Sequence, residues 1–321
     1  MIDIAQLDDG IQAWLARIAE IDAELPRITD PADFPGRRER ERIVSDRLAA
    51  EFARPVDDRA EITEVEIAGR YAHRIRPRDA RGPLPTQLFL HGGGFISGTA
   101  REVLNDAILS ERAAEAGIQI ISLDYRLAPE NPYPAAVLDA VAALAEIADP
   151  AAGWEADPEH LGVGGGSAGG HIAAVVALRV RDAVRAGSAA PQLAHALLEV
   201  PALDLDLTDW PSMTELASPE ETAGARAVAD AYRGQADEYL SPVRTADLAD
   251  LPRIFVMTAE LDPLRDPAEE FARRVVEAGG DAQLRRGEGQ LHGTPGLTRA
   301  VPGSQAWQRA AIEELATRLA R

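Results

Sequence analysis

The sequence predicts an α/β chain: a mostly parallel central sheet flanked by helices. Three observations predict it. From residue 87 onward, short apolar runs alternate with longer stretches of helical period. Two of those runs end in glycine clusters, at 92–94 and 164–166, as chains do where a strand turns sharply. The length, 321 residues with 46% apolar, is enough for one large domain with a sizeable core.

Each element has its own justification. In the first 50 or so residues Ile11, Leu15, Ile18, Ile21 and Leu25 recur at helical spacing, and Pro26 and Pro31 break the pattern. A second helical stretch, rich in Arg and Glu, runs over about 36–52. The period then changes: 62–67 alternates as a half-buried strand, and 71–75 returns as a hairpin after Gly69. The run 87–90 is a short buried strand leading into glycines. A helix over 102–116 and a strand over 118–123 follow. Beyond them the expectation is helix 133–147, strand 160–165, helix 168–186 and strand 194–200. A polar stretch with Trp and Pro, 204–245, interrupts the alternation and reads as an insertion. The last elements are strand 253–258, helix 267–279, strand 282–287 and helix 304–320.

Composition excludes several function classes. Acidic residues number 53 against 33 basic, a formal charge of -20, so the chain repels phosphate backbones and anionic membranes and is not expected to bind nucleic acid or membrane. The acids are scattered, which marks a solvated surface and also suits adaptation to salt. Cysteine is absent, which excludes disulfides, thiolate catalysis and cysteine-ligated metals. Lysine is absent too, so all 33 basic residues are Arg; Schiff-base, P-loop and Ser-Lys chemistries are excluded with it. The start, Met1-Ile2-Asp3-Ile4, has no basic leader, and no run approaches the roughly 18 apolar residues of a membrane span. The expectation is a cytoplasmic protein.

In an open α/β sheet, functional groups gather at the carboxyl ends of the strands. Gly165-Gly166-Ser167-Ala168-Gly169 fits G-x-S-x-G, the turn that lifts a serine above the sheet at the start of a helix. The overlapping Gly164 to Gly169 also matches G-x-G-x-x-G, but a dinucleotide site needs an acid some 20 residues on, and 185–190 holds none. His91-Gly92-Gly93-Gly94-Phe95 follows the strand 87–90. Its bare N–H groups, from Gly93 and Gly94, can with that of Ala168 form an oxyanion hole. His91 and Gly92 are assigned to shaping that loop rather than to proton transfer. After the strand 253–258 three acids compete: Glu260, Asp262 and Asp266. Asp266 precedes Pro267 with Glu269 beyond, the pattern of a helix N-cap, which leaves Asp262 to orient a histidine. His292 lies after the last strand, and the order Ser167, Asp262, His292 is that of a hydrolase triad. His160 falls at the wrong end of its strand, His171 one turn into a helix, and His73 and His195 within strands.

These motifs, with Asp124-Tyr125-Arg126-Leu127-Ala128-Pro129-Glu130, Pro132-Tyr133-Pro134-Ala135-Ala136 and Asp262-Pro263-Leu264-Arg265-Asp266, resemble the bacterial hormone-sensitive-lipase-like esterases of the α/β-hydrolase fold over about residues 60–320. The resemblance implies a serine carboxylic ester hydrolase for short- to medium-chain acyl esters, working through an acyl-enzyme without metal or organic cofactor. It also implies a helical cap made of residues 1–55 and of 204–245, over a catalytic domain spanning 56–321. The 125–130 stretch would support the active-site loops. A small-molecule ester is the partner it implies, and a homodimer is one assembly open to it. Two positions depart from the family pattern: Gly166, where members usually carry Asp or Thr, and Thr294, where many carry an aromatic residue. A lactone or amide hydrolase is an alternative. So is a non-catalytic small-molecule binder of the same fold, but relatives of that kind lack the triad histidine, and His292 is present.

Overall fold

The computed structural model describes residues 3–30, 32–207 and 210–320. Met1, Ile2 and Pro31, on which part of the N-terminal reading fell, lie outside the described residues, as do Thr208, Asp209 and Arg321.

Two helices come first, α1 (Asp9–Glu24) and α2 (Phe34–Phe52). Asp8 and Asp33 cap them, each accepting from an N–H of the first turn. Their apolar stripe buries Ile11, Ile21, Leu48 and Phe52 against Leu297 and Val301, far along the chain. The sheet follows: β1 (Ala60–Ile67), β2 (Arg70–Pro77), β3 (Leu84–Leu90), β4 (Gln119–Leu123), β5 (Ala156–Gly166), β6 (His195–Glu199), β7 (Arg253–Leu261) and β8 (Ala282–Leu291). Their order is β1-β2-β4-β3-β5-β6-β7-β8. The β1–β2 hairpin is antiparallel and β2 runs antiparallel to β4; every pairing from β4 through β3 to β8 is parallel.

Helices α3 (Val103–Ala116) and α9 (Pro302–Glu314) cover one face, where Leu109, Ala113, Trp307 and Ala311 pack on Phe89, Leu197 and Phe255. Helices α4 (Ala135–Ala148), α5 (Ala168–Arg185) and α8 (Arg265–Glu277) cover the other. The central strands β4 and β6 are buried at every position. Burial on both faces explains why apolar residues stand side by side at Ile120-Ile121 and at Ala196-Leu197-Leu198 rather than in alternation. The 204–245 segment carries α6 (Pro211–Leu216) and α7 (Pro219–Tyr232), the latter opened by a capping box of Ser218 and Glu221.

The differences from expectation are at element ends. Strand β5 starts at Ala156, so His160 lies inside it, still toward its amino end and bonded to Asp157 at 2.9 Å. Strands β7 and β8 run three and four residues further than expected, because backbone pairing resumes at Leu261 and Leu291 after a break in register past Ala259. Helix α8 starts at Arg265, with Leu264 at the N-cap position, so Asp266 is not a cap. The carboxylate facing the helix start is that of Asp262, which accepts from Leu264 N at 2.9 Å.

Candidate active site

Near the end of strand β5 and at the start of α5, Gly165 and Gly169 are glycines because nothing larger fits. A Cβ on Gly165 would lie 2.4 Å from the Leu90 carbonyl oxygen, and one on Gly169 would lie 1.9 Å from it. Strand β3 and helix α5 therefore meet backbone to backbone, and the chain between them must turn at once. Ser167 makes that turn with φ 55° and ψ -115°, a conformation that L-residues hold only under constraint. Its N–H donates to the Glu199 carbonyl at 2.8 Å, and its hydroxyl stands at the amino end of α5.

His292 Nε2 lies 2.8 Å from Ser167 Oγ, and His292 Nδ1 lies 2.8 Å from Asp262 Oδ2. The three side chains thus form one continuous line of hydrogen bonds from three separate loops. Asp262 is 1% exposed. Burial disfavours the charged imidazolium of His292, but the Asp262 charge and hydrogen bond together outweigh it and hold the His292 pKa above its ordinary value. The competing acids are committed elsewhere. Glu260 accepts from Gly289 N at 2.7 Å, and Asp266 accepts from Ser212 N at 2.8 Å.

The loop after β3 turns through Gly93 at φ 116° and Gly94 at φ 57°. A Cβ on Gly93 would lie 2.2 Å from the Ser97 carbonyl oxygen. Gly93, Gly94 and Ala168 all line the cavity around Ser167. Among the described residues, no acceptor takes the N–H of any of the three. His91 does not reach the serine. Its Nδ1 donates to Gly92 O at 2.7 Å, its ring stacks on Tyr125 at 4.2 Å, and Tyr125 donates back to the His91 carbonyl at 2.7 Å. Burial lowers the His91 pKa, so the ring is a neutral brace.

The cavity measures about 530 Å³ and reaches from the sheet edge to the 204–245 segment, which contributes Leu205, Leu207, Ala225 and Val228. Its floor carries Glu199, clamped by Arg112 through two hydrogen bonds at 2.7 and 2.8 Å and by Trp307 Nε1 at 2.7 Å. Gln308 accepts from Arg112 at 2.7 Å and donates to Pro295 O at 3.0 Å, three residues past His292. The two departures from the family pattern find different accounts. Thr294 is buried, and its hydroxyl joins Leu291 N and Gln290 Oε1 at 3.0 and 2.8 Å, bracing the turn that carries His292. A Cβ on Gly166 would meet nothing within 4 Å, so packing does not demand glycine there.

Sequence reasoning missed Arg38, Arg112, Glu199, Trp14 and Leu104. Arg38 on α2 pairs with Glu130 at 2.6 Å and donates to the carbonyls of Ile96 and Ala128, tying the N-terminal helices to both active-site loops. No local pattern marks such a residue, because its partners lie 58 to 92 positions away.

A parallel sheet with a strained serine after its fifth strand, followed by an acid and a histidine on later loops, defines the α/β-hydrolase class. A family model described as alpha/beta hydrolase fold matches residues 87–295, and the chain belongs to this family, among its hormone-sensitive-lipase-like esterases. It is 34% identical over 227 residues to Esterase LipI of Mycobacterium tuberculosis (strain ATCC 25618 / H37Rv), covering 68% of each chain. It is 35% identical over 239 residues to Carboxylesterase NlhH of the same strain, covering 71% of this chain and 72% of that one. Among solved structures, the ester-hydrolase EH1AB1 from the metagenome of Lake Arreo superposes with a TM-score of 0.83 at 30% identity, over 97% of this chain and 98% of that one. Among the described residues no helix is long and apolar enough to cross a membrane, and no cluster of three His, Asp or Glu is placed to hold a metal ion.

Proposed function

We propose that this chain hydrolyses carboxylic esters with short to medium acyl chains through an acyl-enzyme on Ser167. The observation that carries the reading is the unbroken line Ser167 Oγ, His292, Asp262, with both contacts at 2.8 Å. His292 Nε2 takes the Ser167 proton as Oγ attacks the ester carbonyl carbon. Asp262 holds the Nδ1–H tautomer and stabilises the imidazolium. The carbonyl oxygen, now an oxyanion, accepts from the N–H groups of Gly93, Gly94 and Ala168, each worth roughly 3 kcal/mol of barrier. His292 then gives its proton to the departing alkoxide. A water, deprotonated by the same nitrogen, releases the acid and restores Ser167.

The N-terminal helices and the 204–245 segment form the cap in this reading. Leu205, Leu207 and Val228 wall the cavity and keep water from the reacting atoms, and a cavity of about 530 Å³ suits small acyl groups. Lactones and amides share the chemistry and remain the second reading. A fluorophosphonate should label one residue, Ser167 by peptide mapping, and a screen of acyl esters beside lactones and amides should find esters fastest. Labelling elsewhere with loss of activity overturns the assignment, and lactones or amides turned over faster favour the second reading.

A further inference from the structure

A second cavity, about 440 Å³, lies beneath the N-terminal helices and belongs to no step of the mechanism above. Trp14, Ile18, Val44 and Leu48 give it apolar walls, and Asp22, Arg40, Glu41 and Ser45 also line it, Asp22 and Arg40 paired at 2.9 Å. It shares Leu104, Gly293 and Gly296 with the cavity around Ser167. These shared residues make a thin partition. Leu104 Cδ1 lies 2.8 Å from where a Cβ on Gly296 would be, and the Trp14 ring edge lies 2.9 Å from where one on Gly293 would be. Two glycines contribute no side chain, so a single leucine on the first turn of α3 is what separates the two spaces. Gly293 directly follows His292, so the partition stands beside the reacting centre.

We propose that Leu104 sets how long a chain the enzyme accepts, by closing the reaction cavity off from this second cavity, which takes the far end of an alkyl chain of the ester once the leucine is cut back. The proposal rests on the ester-hydrolase reading of the same site. The chemistry of the walls selects the occupant: aliphatic and aromatic carbon, one leucine away from the reaction cavity, matches an unbranched hydrocarbon chain. That chain can belong to the acyl or to the alcohol half of the ester. A chain that passes the Leu104 position buries two or three further methylenes, enough for about a tenfold gain in kcat/KM.

The test is the ratio of kcat/KM for a ten-carbon chain to that for a two-carbon one, measured within each variant. One arm uses p-nitrophenyl acyl esters, the other acetate esters of alkanols. Leu104→Ala should raise the ratio about tenfold in one arm, which names the half that enters. Adding Ile18→Trp, which narrows the second cavity, should lower it toward the wild-type value. Should Leu104→Ala melt too early to assay, Leu104→Val opens the same partition less. Unchanged ratios in both arms overturn the subsite while wild-type turnover of p-nitrophenyl acetate stands. Failure of the wild type on the acetate overturns the ester-hydrolase reading instead. A gain that Ile18→Trp leaves unchanged also overturns the subsite, because the chain then lies elsewhere.

Discussion

Arg112 on α3 and Glu199 at the end of β6 form a buried, two-pronged ion pair at 2.7 and 2.8 Å, and the Glu199 backbone carbonyl holds the Ser167 N–H. One residue thereby links the serine turn to two helices on one face of the sheet. The next residue, Val200, has φ 40°, rare for a β-branched side chain and sustained only where its surroundings leave no alternative. Removing one partner leaves a buried charge uncompensated. Arg112→Met should therefore cost about 3–5 kcal/mol, read from the urea midpoint. Restoring neutrality with Glu199→Gln in the same chain should recover part of that loss. A loss below about 1 kcal/mol in the single variant would show that the pair is dispensable.

Asp262 and Asp266 are four residues apart and separable by experiment. Asp262→Asn should lower kcat by about 10⁴ while the melting temperature holds, because the imidazole loses the acceptor that sets its tautomer. Asp266→Asn keeps an oxygen for Ser212 N and should cost no more than about 1.5 kcal/mol, with kcat nearly unchanged. The reversed pattern would identify Asp266 as the orienting acid.

Activity should depend on neutral His292. Its pKa is raised by Asp262 despite burial, so protonation begins at a higher pH than for a free imidazole. As pH falls through that raised value the base is lost, and kcat/KM should drop tenfold per unit below a midpoint above about 6.5. In Asp262→Asn the charge that raises the pKa is gone and burial remains, so the midpoint of the residual activity should move down. A midpoint that stays put would contradict the coupling.

Gly169→Ala places a Cβ 1.9 Å from the Leu90 carbonyl oxygen, and backbone cannot step aside as a side chain tip can. The expected cost is at least about 3 kcal/mol, with loss of labelling at Ser167 in whatever fraction folds. Gly166→Ala, whose Cβ meets nothing within 4 Å, should fold at wild-type stability and serves as the control.

Trp14 tests the N-terminal helices. Its ring edge lies against Gly293, so Trp14→Ala removes a wall beside His292 without touching the sheet. KM for short esters should rise several-fold while the melting temperature changes by only a few degrees. Unchanged kinetics across the ester series would show that these helices do not shape the site.

What the sequence alone determined is whatever local pattern encodes. The alternation of strand and helix was legible because β4 and β6 are buried on both faces and carry adjacent apolar residues, Ile120-Ile121 and Ala196-Leu197-Leu198. The serine turn was legible because its glycines answer a contact between β3 and α5 that any other residue would break. Ser167, Asp262 and His292 could be singled out because each follows a strand at the same end of the sheet. Element ends were less legible: β7 and β8 run three and four residues past their expected ends, since hydrogen-bonded pairing leaves no mark on side-chain type. The cap assignment of Asp266 misled for a related reason. Asp before Pro fits a helix start, yet Asp262 supplies the acceptor there and α8 begins two residues earlier, at Arg265. Only the tertiary structure decided that Arg112 meets Glu199, that Arg38 holds Glu130, and that Leu104 stands between two cavities. Those contacts join residues from distant parts of the chain, and the spacing along a sequence carries information only about neighbours on one strand or one helix face.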